Sequence, residues 1–340
     1  MDSETNHSVA APAPEILNQL NICLYQVAIL RAALELEVWA KVAEGEDSAD
    51  RLSAAEHWDL LGTRMLLDDL CSLKLLAKDG DQYQLGPEAE HYLLPDKSTY
   101  FGRLLLADFS WAGNSHLAGA IRTGSRPIGF SATAPEAIDY WTGTYSRILA
   151  APEKYLKRWD VMWDALGIRG HDGLRILDLA CGPAPKSLVL ALANSGVRIT
   201  LLDWERILQA ARRFAANLGV DNQVTSLSGD LASVAYGRNR YDVAFLGDVT
   251  HFFSREQNAH IFRKAYDALV DRGTIVIKAV RREYIDPTTP QLVFYAVSAG
   301  GDLYDFEEYK AMLKHAGFTN IVDTNIVDLE IQPIKAIKRA

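Results

Sequence analysis

The chain has 340 residues, 49% of them hydrophobic and 23% charged, with a formal net charge of −9. That size fits about two domains, and the composition excludes global disorder and a basic nucleic-acid footprint. No apolar run approaches the roughly 18 residues of a membrane span, and Cys23, Cys71 and Cys181 are too widely spaced for a disulfide framework or a zinc site.

The start, Met1-Asp2-Ser3-Glu4, is acidic and polar, unlike a secretory signal, so a reducing cytoplasm is the expected location. Residues 1–14 carry Ala11-Pro12-Ala13-Pro14 and read as a flexible arm. From Ile16 to about Ala43 the pattern is helical, with apolar residues at 16, 17, 20, 23, 24, 27, 28, 30 and 34, closed by Val38-Trp39. A helix apolar nearly all round needs burial on more than one side, and a homodimer interface supplies it. Two more helices fit residues 52–77, the second from about Thr63 to Leu75 with a stripe at Leu66, Leu67, Leu70 and Leu73. Asp79-Gly80 between two short runs predicts a β-hairpin. Three helices and a two-stranded wing give residues 15–99 the order of a winged helix. Residues 100–165 read as mostly helical, with a Gly/Ser/Pro-rich break at 124–134, and are expected to link the halves and line an acceptor pocket.

From Leu174 strands and helices alternate, over residues 166–340. Strands are expected at 174–179, 198–203, 224–228, 241–246, 273–279, 319–323 and 332–338. Helices are expected at 186–194, 205–218, 255–270 and 306–316. Such alternation predicts an α/β domain, a doubly wound, mostly parallel seven-stranded sheet of Rossmann-like type.

The most informative segment is Arg175-Ile176-Leu177-Asp178-Leu179-Ala180-Cys181-Gly182-Pro183-Ala184-Pro185-Lys186. It is a buried strand, a turn of small residues, and a helix start, the place where doubly wound sheets bind ligands. A dinucleotide needs backbone N–H groups aimed at its pyrophosphate, and Pro183 and Pro185 lack them. A ligand with adenosine but no phosphate fits better, and S-adenosyl-L-methionine (SAM) is the obvious one. Asp203 ends the next strand, 21 residues after Gly182, where a carboxylate accepts from ribose hydroxyls; the alternative is a helix N-cap, and one residue can serve as both. Asp230 could accept from an adenine amino group, with Leu231 on the ring face, or simply cap its loop. Asp178 reads as a ligand contact or as an organiser of the turn. Cys181 reads as a small buried filler.

With Val249-Thr250-His251-Phe252-Phe253, and with Phe306-Glu307-Glu308-Tyr309 followed by Ala316-Gly317-Phe318, the chain resembles the class I SAM-dependent small-molecule O-methyltransferases that carry an N-terminal winged-helix dimerisation domain. The resemblance covers roughly residues 15–338. It implies SAM bound by Asp178, Ala180, Gly182, Asp203, Trp204, Asp230, Leu231 and Asp248, with Ala180 near the methionine moiety. It implies His251 as the base that deprotonates a hydroxyl on a small aromatic acceptor, which suits the ordinary pKa of imidazole. It implies a homodimer through the N-terminal helices; from the acidic charge, the lack of an apolar span and the lack of a carboxylate cluster beyond the cofactor set, neither nucleic acid, a membrane nor a metal is expected as partner. The sequence departs from the family in three places. Ile277-Lys278-Ala279-Val280-Arg281 lacks the family's acid, Asp302 is not a clean match for a second one, and Gly247 stands where a lysine is common.

Other readings remain open at this point. His116 and Trp141, Tyr145, Met162 and Tyr295 are pocket candidates or ordinary surface and core residues. Arg281-Arg282-Glu283-Tyr284 reads as a solvated loop. A repurposed family member would catalyse C- or N-methylation, or leave SAM unconsumed while decarboxylating, hydroxylating or rearranging its substrate. A SAM-sensing transcriptional regulator is disfavoured by charge. Residues 1–110 hold 19 acidic against 8 basic side chains, a net −11 that DNA would repel, leaving +2 for the remainder.

Overall fold

The computed structural model describes residues 13–97, 99–106, 115–124, 152–285, 300–326 and 331–340. The chain divides into two compact units, Met1–Leu106 and Ala107–Ala340.

The first unit contains α1 (Glu15–Glu35), α2 (Val38–Ala43), α3 (Ala49–Glu56), α4 (Leu60–Ser72), β1 (Leu76–Asp79), β2 (Gln82–Leu85), α5 (Pro87–Tyr92) and α6 (Gly102–Leu106). The single helix expected over 16–43 is broken at Glu37, whose backbone is left-handed at φ +54°. The break turns Val38 and Trp39 into the core beside Leu52, Leu67 and Leu70. Ser48 caps α3 by accepting from the Arg51 N–H, and Asp59 caps α4 by accepting from the Gly62 N–H at 2.7 Å, the preferred chemistry at both positions. The hairpin forms as the Asp79-Gly80 signal predicts, with Leu76 opposite Leu85 and Gly80 in the turn at φ +58°. The first half of α1 stays uncovered: Leu17 is 68% and Leu20 62% exposed.

The second unit contains α7 (Leu117–Thr123), α8 (Pro152–Ala165), β3 (Arg175–Leu179), α9 (Pro185–Ala193), β4 (Arg198–Asp203), α10 (Glu205–Asn217), β5 (Val224–Ser228), β6 (Tyr241–Gly247), α11 (Arg255–Ala268), β7 (Leu269–Lys278), α12 (Phe306–Ala316), β8 (Thr319–Asp323) and β9 (Ile334–Ile337). β3 to β9 make one seven-stranded sheet in the order β5-β4-β3-β6-β7-β9-β8. The first five are parallel, and β9 runs antiparallel to β7 and β8. Period-two alternation sends side chains to opposite faces. Ile176, Val243, Phe245 and Val276 join α8, α9 and α10 in one core. Leu177, Leu179, Ala244, Leu246, Ile275 and Ile277 join α11 and α12 in the other. From β3 the chain winds toward β5, and from β6 toward β7, so the winding reverses between β3 and β6. The crevice at the carboxyl ends of those two strands is therefore the place for a ligand.

Candidate active site

The β3–α9 turn is built from left-handed backbone. Ala180, Gly182 and Ala184 have φ of +54°, +56° and +59°. For the two alanines this costs about 1–2 kcal/mol each, strain of the kind that collects at ligand clamps. The turn is locked from both ends. Asp178 is buried and accepts from the Ser187 hydroxyl at 2.5 Å, while Asp203 accepts from the Gly182 N–H and the Trp204 N–H, each at 2.8 Å. Burial raises Asp178 to about 7 against the pull of the Ser187 bond and the Lys186 charge, and raises Asp203 to about 6 against its two backbone donors. Trp204, not Asp203, occupies the N-cap position of α10. A Cβ on Gly182 would meet nothing within 4 Å, so the turn faces open space.

Gly229 donates its N–H to the Asp203 carbonyl at 3.1 Å, bringing the β5 loop to the same edge. There Asp230 caps its own loop, accepting from Ala232 and Ser233 through Oδ1. Leu231 is buried, and its carbonyl accepts from the Tyr236 hydroxyl and from Lys264. Cys181 is buried, its thiol pushed well above the ordinary range by desolvation, as suits a filler.

Across the switch point lies the segment after β6. Asp248 is left-handed at φ +62° and donates its N–H to the Lys278 carbonyl at 2.7 Å. Its carboxylate is gripped by two ammonium groups, Lys278 at 2.5 Å and Lys186 at 3.2 Å. Burial alone would raise Asp248, but the two lysines outweigh it and hold the carboxyl well below the usual range. Neither lysine stood among the expected site residues. The signal was present in their positions: Lys278 closes a buried strand, and Lys186 lies in the first turn of the helix that follows the strained turn.

His251 sits in a short 3-10 turn, Thr250–Phe252, and is 3% exposed. The turn is tied down on every side. Thr250 and Tyr309 share a hydroxyl–hydroxyl bond of 2.5 Å, Asn258 donates to the carbonyls of Thr250 and Phe253, and the Tyr304 hydroxyl donates to Phe253. Gly301 lies so close to the His251 carbonyl that a Cβ there would overlap it. Burial lowers His251 to about 4; Asp248 opposes that shift, and Lys278 and Lys186 add to it.

The expectation of a solvated loop at 281–284 is wrong for its first residue. Arg281 is 2% exposed and grips both carboxylate oxygens of Asp323, at 2.8 and 3.0 Å, with Glu283 beside it at 3.2 Å. The charge belongs inside because two acids at the same sheet edge neutralise it. Asp302 pairs with Arg282 at 3.5 Å. Met162 is fully buried core, and His116 is exposed at the start of α7. Trp141, Tyr145 and Tyr295 lie outside the described residues. Among the described residues, no helix is long and apolar enough to cross a membrane, and no His/Cys/Asp/Glu group could hold a metal ion.

Residues 176–273 match the methyltransferase domain family. Over 329 residues, 91% of this chain and 90% of the relative, the sequence is 24% identical to a 3-hydroxy-5-methyl-1-naphthoate 3-O-methyltransferase of Streptomyces sahachiroi. It is 25% identical over 331 residues (89% and 90% of the two chains) to an N,N-dimethyltransferase of Streptomyces rimosus. The fold superposes on human N-acetylserotonin methyltransferase in complex with SAM, with a TM-score of 0.74, 20% identity, and 98% and 99% of the two chains covered.

Proposed function

Because the chain belongs to the class I SAM-dependent methyltransferases, we propose that it transfers a methyl group to a hydroxyl of a small aromatic acceptor of secondary metabolism, with His251 as the base. One observation carries this reading: the strained turn and the histidine segment meet at one switch point, where Lys186, from the helix of the turn, pairs with Asp248 three residues before His251.

The donor set fits SAM. The turn side of the edge offers the carboxylates Asp178, Asp203 and Asp230, which suit hydroxyl and amino groups and repel a phosphate. Open space at Gly182 and the missing N–H groups of Pro183 and Pro185 point the same way. Asp203 would take the ribose hydroxyls, Asp230 and Leu231 the adenine, and Ala180 the methionine end. Asp178, Gly182, Trp204 and Asp248 complete the set. When bound, SAM supplies an electrophilic methyl group on a sulfonium.

His251 is neutral throughout the physiological range and so can take the acceptor proton, while Thr250, Asn258, Tyr304 and Tyr309 fix its turn. Holding the acceptor oxygen in line with the methyl supplies much of the acceleration. The test is methyl transfer from labelled SAM to a panel of phenols, with His251→Ala as control. Unchanged activity in that variant removes the base role.

The second reading, a repurposed member, draws on the absence of an acid at 277–281 and on the N,N-dimethyltransferase relative. It predicts amine or carbon acceptors, or SAM that survives turnover. The uncovered face of α1, with Leu17, Leu20 and Tyr25, is proposed as the homodimer interface. Sedimentation of Leu20→Lys as a monomer, against a wild-type dimer, supports it.

A further inference from the structure

We infer that Lys186, Asp248 and Lys278 form an oxyanion cradle that holds the acceptor in its ionised form, so that the substrate is an acidic phenol or enol. The inference rests on the methyltransferase reading and names the chemistry of its acceptor.

Three observations carry it. First, two ammonium groups share one carboxylate, so the cluster has a surplus positive charge. Among the described residues the other titratable groups facing it are His251, which burial keeps neutral, Cys181 and Tyr309, which burial keeps protonated, and Asp178, whose carboxyl is held up at about 7 and so cancels only part of the surplus at neutral pH. Second, the cluster is reachable. The side chains of Lys186, Lys278 and Asp248 keep 20%, 18% and 31% of their surface, at the crevice between β3 and β6. Third, the backbone makes room for it. A Cβ on Gly247 would sit 2.9 Å from the Lys186 side chain, so glycine there lets that stem lie across the strand end. Beside a buried neutral imidazole, the surplus cation lowers the pKa of the acceptor hydroxyl, so an acidic phenol is held as its phenolate while a weakly acidic one still needs His251 as base. For such an acidic phenol the O–H proton leaves to solvent on binding, and the oxygen lone pair left behind would form the new C–O bond as the methyl–sulfur bond of SAM breaks and its electron pair returns to sulfur.

The probe is 4-nitrophenol, whose phenolate absorbs apart from its neutral form, with 4-nitroanisole as the uncharged shape control. Calorimetry with S-adenosylhomocysteine (SAH) comes first. If SAH does not bind, the methyltransferase reading itself fails. With SAH bound, the wild-type protein should hold the phenolate at least tenfold more tightly than the anisole. The apparent pKa of the bound probe should fall by about one to three, the effect of a cation within 4–6 Å. Lys278→Met and Lys186→Met should each abolish most of that fall, Lys278→Arg should restore it, and His251→Ala should leave it in place. Three results overturn the cradle while leaving the SAM reading intact. One is no preference for the phenolate over the anisole. Another is a pKa fall that depends on His251 and not on the lysines. The third is SAH affinity that drops in Lys278→Met and Lys186→Met while phenolate binding does not, which would assign the charge to the amino-acid tail of the cofactor.

Discussion

On the β3–β5 side of the switch point the functional carboxylates are bonded to backbone N–H groups or to a hydroxyl, whereas on the β6–β7 side Asp248 is bonded to two ammonium groups. Asp203 and Asp230 each accept two backbone N–H groups, and Asp178 holds the Ser187 hydroxyl at the head of α9. Asp248 instead holds Lys186 and Lys278. A carboxylate engaged with backbone fixes shape, because its partners cannot move away. A carboxylate engaged with two flexible lysine stems fixes charge, and lets those stems adjust to what enters. One side is built to hold a constant ligand, and the other to meet a variable one.

The sharpest way to break that contrast is His251→Ala. Loss of a positioned base costs about 10²–10⁴ in rate. We expect a fall of that size in kcat/KM for a weakly acidic phenol, a smaller one for 4-nitrophenol, and no change in SAH affinity. Steady-state kinetics on the two acceptors, with calorimetry for SAH, checks it. Equal losses on both phenols would separate the base role from acceptor acidity.

Asp203→Ala attacks the other side. Two backbone donors lose a charged acceptor, worth about 1.5–3 kcal/mol each. Stability to urea should fall by about 3 kcal/mol or more, and SAH affinity by tenfold or more. Asp203→Asn, which keeps one acceptor oxygen, should fall between. A variant that loses stability but keeps full SAH affinity would reduce Asp203 to a latch for the Gly182 turn.

Much of this edge was legible in the sequence, and for physical reasons. The inner strands of the sheet announce themselves because a buried strand must be apolar in a run or in alternation, and the turn because small residues let a ligand approach its backbone closely. Asp203 and Asp230 stand where strands end. The lysine cluster was not legible as a unit, because Lys186, Asp248 and Lys278 come from three separate elements and meet only once β3, β6 and β7 lie side by side. Gly247 read as a loss of a lysine; in three dimensions it is the space that Lys186 occupies. Arg281 read as solvated because it stands in the charged run Arg281-Arg282-Glu283-Tyr284, and its acidic partner Asp323 lies on a strand far along the chain. The break at Glu37 left no trace in the apolar pattern, which continues through it.

A smaller effect is in the pH dependence of stability. Asp178 is raised from its ordinary 3.8 to about 7. The native state therefore keeps this proton to higher pH than the unfolded chain does. Its contribution is fully present below 3.8 and is lost as pH rises through about 7. His251, lowered from 6.5 to about 4, acts in the opposite sense across its own window. Asp203, raised from 3.8 to about 6, acts in the same sense as Asp178, so Asp178→Asn removes only the Asp178 share of the falling trend and leaves those of Asp203 and His251. At about 1.4 kcal/mol per pH unit, the variant should gain a few kcal/mol on wild type between pH 4 and 7. Urea midpoints across that range, without cofactor, measure it. Parallel profiles would mean that Asp178 is charged in the native turn.

The smallest effect separates two roles of Asp230. Its Oδ1 accepts from the N–H groups of Ala232 and Ser233, at 2.8 and 3.1 Å, which is the loop-capping role. An adenine amino group would need an acceptor at the other oxygen. Asp230→Asn keeps an oxygen for the loop and turns the remaining position into a donor, which meets the amino group donor to donor. Stability should therefore stay within about 0.5 kcal/mol of wild type, the ordinary range for a surface change. SAH affinity should fall about three- to tenfold, the worth of one hydrogen bond of 0.5–1.5 kcal/mol. Asp230→Ala should lose both stability and affinity. If Asp230→Asn binds SAH as wild type does, the carboxylate serves the loop alone, and the adenine is held by Leu231 and the shape of the edge.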